Sequence, residues 1–130
     1  MAVYVSRKFH RWMRECGVVD GDLCRSVLEM TQGLVDADLG GGLLKKRIAR
    51  NGQGKRGGFR TIVTKPKLEA CLFVYGFAKG DLGNISAARE LHCRDIARKF
   101  LSLPLDQRKK EIEEGAFFEV NCNAQVRIPV

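Results

Sequence analysis

The sequence predicts an α+β fold in which an N-terminal helical hairpin packs on a small antiparallel β-sheet and C-terminal helices follow. Three observations carry that prediction. Apolar residues recur at helical spacing from Val5 to Leu34. From Leu43 to Lys79 they alternate or run together as β-branched and aromatic stretches. Helical spacing then returns between Asn84 and Gly115. A chain of 130 residues suits a single domain over 1–130 with one continuous core.

In the first helix, residues 5–16, the apolar face is Val5, Phe9, Trp12, Met13 and Cys16, while Lys8, Arg11, Arg14 and Glu15 face solvent. Gly17 ends it as a C′ residue. Asp20 offers an N-cap to a second helix whose buried side is Leu23, Val27, Met30 and Leu34, and Gly33 stops it. The short connection makes the pair an α-hairpin. Gly40-Gly41-Gly42 is a bend, and Leu43–Ala49 reads as a strand. Leu44, Lys46 and Ile48 share one of its faces; Leu43, Lys45, Arg47 and Ala49 share the other. Residues 51–58 are expected to be irregular, because their glycines and asparagine favour turns. Phe59–Lys65 and Ala70–Lys79 are strands separated by a turn at Pro66–Glu69, which completes a meander. A helix begun by Asn84 or Ser86 covers the sheet with Ala88, Leu91, Ile96, Ala97, Phe100 and Leu101. Pro104 breaks it, Asp106 caps a further helix that Gly115 ends, and Ala116–Val120 adds an edge strand.

Charge is distributed unevenly along this frame. The formal net charge is +8, yet the stretch from Lys45 to Lys67 holds nine of the 23 Lys and Arg and no Asp or Glu. The remainder of the chain is close to neutral. Like charges so near one another destabilise a compact state, and a phosphate partner would offset that cost. No apolar run reaches the roughly 20 residues of a membrane helix, and the N-terminus lacks a signal-peptide pattern. The five cysteines (16, 24, 71, 93 and 122) are odd in number and form no C-x-x-C pair. They favour reduced thiols over a disulfide frame or zinc knuckle, and hence a cytoplasmic location.

Gly52-Gln-Gly54-Lys-Arg-Gly57 matches G-x-G-x-x-G, but a dinucleotide site needs a helix after the loop, and Phe59-Arg-Thr-Ile-Val-Thr is a strand. The loop is either a solvated hairpin connection or an anion nest flanked by Lys55, Arg56 and Arg60. A hairpin centred on residues 67 and 68 sets Arg60 roughly opposite Tyr75, with Phe77 and Lys79 on the same face. A guanidinium for phosphate, aromatic rings for bases and a terminal ammonium make an RNA site. Phe73, Tyr75 and Phe77 are equally able to be core under the C-terminal helix. His10 and His92 fall in no metal-ligand pattern, and neither a metal nor a cofactor is called for.

Leu39-Gly-Gly-Gly-Leu43, Lys46-Arg-Ile-Ala, Gly52-Gln-Gly-Lys-Arg-Gly-Gly-Phe-Arg60 and Val74-Tyr-Gly-Phe-Ala-Lys79 together resemble the RelE/HigB branch of bacterial toxin–antitoxin toxins. The likeness extends to Leu28-Glu-Met and to Glu114-Gly-Ala-Phe-Phe-Glu-Val, nearly the whole chain. It implies a RelE/ParE-like fold and a toxin that cleaves mRNA on the translating ribosome. The cognate antitoxin would often be a helix-turn-helix protein. By position, Arg60 resembles the phosphate-binding arginine of the family's central strand. Lys79 matches a basic residue after the last core strand, and Arg47 and Arg50 match cations of the preceding strand.

The expected chemistry is attack of the 2′-OH on the adjacent phosphate, without a metal. Arg60 and Arg47 stabilise the phosphate charge, Lys79 protonates the leaving oxygen, and Lys46 or Lys55 serves as base. Lys45, Arg50, Lys55, Arg56, Tyr75 and Phe77 hold the RNA. No tyrosine follows Tyr75 to match the C-terminal tyrosine of some relatives. Two other functions share these features: a ParE-like gyrase poison, and a nucleic-acid-binding module without catalysis.

Overall fold

The chain opens with a strand, not a helix. The computed structural model describes residues 2–50, 54–66, 70–78 and 85–122, by backbone alone at 50 and 54–57. Strand β1 (Ala2–Ser6) leads into α1 (Arg7–Cys16) and α2 (Asp20–Thr31). Strands β2 (Ala37–Gly40), β3 (Leu43–Arg50), β4 (Gly54–Thr64) and β5 (Ala70–Ala78) follow. Helices α3 (Ala87–Ser102) and α4 (Leu105–Glu113) and strand β6 (Phe117–Glu119) complete the described chain. Among the described residues these are four helices and six strands in one sheet, ordered β2-β3-β4-β5-β1-β6.

The mixed α/β architecture agrees with the expected class, but two features of the expectation change. The sheet is not purely antiparallel, because β1 runs parallel to β5 while its other edge pairs antiparallel with β6. Val5 and Phe9 sit at helical spacing, yet Val5 lies in a strand and only Phe9 in a helix. Ser6 makes the switch: its hydroxyl donates to the Val74 carbonyl of β5 and accepts from the Phe9 N–H. It is thus at once the last strand residue and the N-cap of α1. The second change concerns the hairpin. α1 lies on β5, β1 and β6, and α2 on β3, so each helix finds its main partner in the sheet.

Local signals held at several boundaries. Gly17 closes α1 with φ 75°, and Gly115, φ 80°, follows α4. Gly40, Gly41 and Gly42 all take positive φ in the turn between β2 and β3, a conformation that non-glycine residues seldom adopt. Ser86 caps α3. The cap of α2 differs from expectation: Val19 precedes the helix and its N–H donates to the Asp22 carboxylate. Pro104, rather than Asp106, precedes α4. Of the stretch 51–58 expected to be irregular, residues 54–58 continue β4, with Gly54 paired to Arg50, since glycine is also compatible with extended backbone; residues 51–53 lie outside the described residues.

The sheet divides the core in two. On the side of α1 and α2, Val5, Phe9, Met13, Leu23, Val27, Leu44, Ile48, Phe59, Val63 and Phe73 pack together. On the side of α3, Tyr4, Leu43, Ile62, Leu72, Val74, Phe77, Cys93, Ala97 and Phe100 do so. Leu91 and Leu101, expected on the buried side of α3, stand 60% and 48% exposed, and Leu34 is exposed as well. Cys24 and Cys122 are joined by a disulfide across 98 residues, which overturns the expectation of reduced thiols throughout. An odd cysteine count excludes complete pairing, not one pair, and Cys71 and Cys93 remain buried thiols. No helix among the described residues is long and apolar enough to cross a membrane.

Candidate functional site

Strand alternation decides where the cations go. On β3, Leu44 and Ile48 enter the core beneath α1 and α2, so Lys45 and Arg47 point to the other side. On β4, Phe59 and Val63 do likewise, which turns Arg60 and Ile62 to that same other side. The ladder then sets Arg47 opposite Arg60 and Arg60 opposite Phe77, one row across three strands. The next row is Lys45, Ile62 and Tyr75. Arg60 therefore faces Phe77, two residues along from the Tyr75 expected, and an even shift keeps it on the expected face.

A bulge in β5 explains how Phe73 parts from its neighbours. Val63 pairs with Phe73 and Ile62 with Tyr75, leaving Val74 as the extra residue. Phe73 is buried under α1, whereas Val74, Tyr75 and Phe77 belong to the opposite side. Of the aromatic pair expected to stack on bases, only Tyr75 is open, at half burial. Phe77 is 4% exposed and props Tyr75 from below, with ring centres 5.9 Å apart. Arg89, at the start of α3, lays its guanidinium 4.7 Å from the centre of the Tyr75 ring. Sequence reading gave Arg89 no role, and nothing local signals its position over a strand residue.

Lys46 goes the other way. It is 3% exposed on the α2 side, where Nζ meets Glu29 Oε1 at 2.9 Å and the Leu34 carbonyl at 2.9 Å. The expected role of Lys46 as a base beside Arg60 is therefore corrected: the thickness of the sheet separates them, and its ammonium is engaged in the core. The expectation that the basic stretch lacks acidic partners changes for the same reason. Asp36 Oδ1 lies 3.0 Å from Arg47 Nε while Oδ2 accepts the Arg47 N–H, and Asp38 pairs with Lys65 at 3.0 Å. The Gly40 N–H and Lys65 hold the Asp38 carboxyl below its ordinary range. Glu29, Asp36 and Asp38 precede the basic stretch in sequence and are folded back along it by α2 and β2.

Arg60 is half-buried and has neither a hydrogen bond nor an ion pair to the described residues. It is the guanidinium of the row with capacity to spare. The side chains of Arg50, Lys55 and Arg56 and the whole of Lys79 lie outside the described residues. No group of His, Cys, Asp or Glu among the described residues is placed to hold a metal ion; His10 instead stacks on Phe118, ring centres 4.0 Å apart. What the open face offers is a row of cations beside a half-open aromatic ring, an arrangement that suits a phosphodiester with a base attached.

A family model described as the RelE toxin of the RelE / RelB toxin-antitoxin system matches residues 1–120. The match takes in all six strands and four helices described. No curated protein matches the chain.

Proposed function

The chain belongs to the RelE toxin family of toxin–antitoxin systems, and from that premise we propose that it is an endoribonuclease that halts translation by cutting mRNA on the ribosome. It pairs with a RelB-type antitoxin, as the family does. The observation that carries the proposal is Arg60, half-buried at the centre of the Arg47–Arg60–Phe77 row, with Tyr75 in the next row and Arg89 over the Tyr75 ring.

In this reading the 2′-oxygen attacks the adjacent phosphorus, the bond to the 5′-oxygen breaks, and a 2′,3′-cyclic phosphate and a 5′-hydroxyl result. The nucleophile comes from the RNA itself, so the chemistry runs without a metal. Arg60 holds the non-bridging oxygens as charge gathers on them, and Arg47 adds a second guanidinium when RNA competes with Asp36. Lys79 protonates the leaving oxygen, a role proposed from the family resemblance alone. Tyr75 and Arg89 stack a base, while Lys45, Arg50, Lys55 and Arg56 follow the backbone. Lys55 takes over from Lys46 as the candidate base. The antitoxin, proposed as a helix-turn-helix protein, covers this face with acidic groups. Their binding weakens as salt rises. A toxin that acts on the ribosome acts in the cytoplasm, although cysteine usage no longer argues for that location, since Cys24 and Cys122 are paired.

Inducing the native chain and an Arg60→Ala variant in cells, with mapping of mRNA 5′ ends, tests the proposal. In-frame cuts within translated codons are expected from the native chain, with a loss of at least about 100-fold for Arg60→Ala. Arg60→Ala is expected to change stability by less than about 0.5 kcal/mol, since it breaks no observed pair. A variant that cuts as before removes Arg60 from the chemistry. DNA damage with intact mRNA would instead identify a gyrase poison.

A further inference from the structure

Next to the cation row, on the same side of the sheet, lies a cavity of about 350 Å³ bounded by the start of α1, the bulged part of β5, α3 and β6. Tyr75, Ile96 and Phe117 contribute to a largely apolar lining, and Arg7, Lys8 and Arg89 line the cavity as well. No Asp or Glu among the described residues lines it. Arg7 and Lys8 are exposed and open α1, where backbone N–H groups beyond the one capped by Ser6 have no carbonyl to meet. The Cys93 thiol, which also lines the cavity, is pushed up to about 11 by burial and stays neutral. A volume of this size, apolar within and cationic at the mouth, matches one nucleotide: a base inside and a phosphate at the rim.

Tyr75 connects this cavity to the row. It lines the cavity and stands one row from the Arg60–Phe77 pair, about 7 Å along the strand. An extended, unstacked ribonucleotide step spans that separation. Arg89 over the Tyr75 ring makes a stacked platform at the threshold.

We propose that the cavity between α1 and α3 is a nucleotide subsite, which takes the base next to the cleaved linkage between Tyr75 and Phe117 and its phosphate on Arg7 and Lys8. The assignment to a neighbour of the cleaved linkage rests on the endoribonuclease reading above. The subsite reads a base where the sheet row grips only backbone, so it contributes to the choice of cleavage position.

The full chain carrying Arg60→Ala, which spares the host and leaves the cavity intact, is titrated with adenosine 5′-monophosphate, uridine 5′-monophosphate and inorganic phosphate. The His92 and Tyr75 ring signals are followed by NMR, since both rings line the cavity. Saturable shifts with the nucleotides are expected, weakened about tenfold by Arg89→Ala and by Arg7→Ala, each of which removes one charged contact. Unmoved rings, an Arg89→Ala variant that binds as before, or inorganic phosphate binding as well as the nucleotides would each overturn the subsite. So would rings that respond to an acidic antitoxin peptide and to neither nucleotide. In the otherwise native toxin, Arg7→Ala is expected to alter the distribution of cut positions, and an unaltered distribution removes the link to cleavage. Nucleotide binding by a chain whose native form cuts no RNA would sink the nuclease reading and keep the nucleotide site.

Discussion

Lys46 and Arg47 are neighbours on β3, and the two sides of the sheet have given them opposite work. The side facing α1 and α2 is closed. There Lys46 is locked to Glu29 and the Leu34 carbonyl, and the Trp12 ring lies against Gly76. The disulfide between Cys24 and Cys122 ties the segment after β6 to α2 on this same side. The side facing α3 is only partly covered. Arg94 anchors the helix by donating to the carbonyls of Leu39 and Gly40. Lys45, Arg47, Arg60 and Tyr75 are left at intermediate exposure. The comparison teaches that a cation's chemical type says little about its role. A charge shut in with one acid is part of the architecture, and a charge at a half-open surface is available to a ligand.

That division puts the largest expected effect on stability on the closed side. Lys46→Ala leaves the half-buried Glu29 carboxylate without its ammonium and is expected to cost about 3–5 kcal/mol in denaturant unfolding. Replacing both partners by apolar residues, Lys46→Met with Glu29→Leu, should cost far less. A Lys46→Ala chain as stable as the native one, yet inactive, would erase the distinction between the two sides. Gly76→Ala comes next. Its new Cβ would meet the Trp12 ring at 2.3 Å, an overlap expected to cost about 1–3 kcal/mol and to be relieved by Trp12→Leu in the same chain. Equal costs with Trp12 and with Leu at position 12 would place the strain elsewhere.

The open side should respond in function more than in stability. Asp36→Asn removes the carboxylate beside Arg47, and because that pair is partly exposed the stability cost is expected below about 1 kcal/mol. Freed of its partner, Arg47 should bind single-stranded RNA more tightly, by less than about tenfold, in a filter-binding titration at fixed salt. Weaker binding would mean that Asp36 positions Arg47 instead of competing for it. Read beside the loss expected for Arg60→Ala, the two variants sort the row into a guanidinium that is ready and one that is held.

Much of this was legible in the chain. The alternation over Leu43–Ala49 placed Lys46 and Arg47 on opposite faces, and β3, β5, both C-terminal helices and the final edge strand were found near their observed limits, whereas β4 begins at Gly54 and not at the expected Phe59. Two strands were not: Ala2–Ser6 is short and Val5 continues the helical spacing of Phe9 and Met13, and Ala37–Gly40 runs into the glycines read as a bend. The bulge at Val74 was invisible as well. An extra residue in a strand is defined by its partner, and the partner is not in the local sequence. Arg89 escaped for a related reason: its value lies in a tyrosine on another element.

Periodicity by itself determined that the cations of β3 and β4 divide between two faces, since successive side chains in an extended chain must point opposite ways. Only the tertiary structure decided which face the helices close. It alone brought Glu29, Asp36 and Asp38 back to a stretch with no acids of its own. Those outcomes depend on contacts between residues far apart in the chain, fixed when α2 and β2 dock on β3 and α3 crosses the other side. No local pattern carries that information.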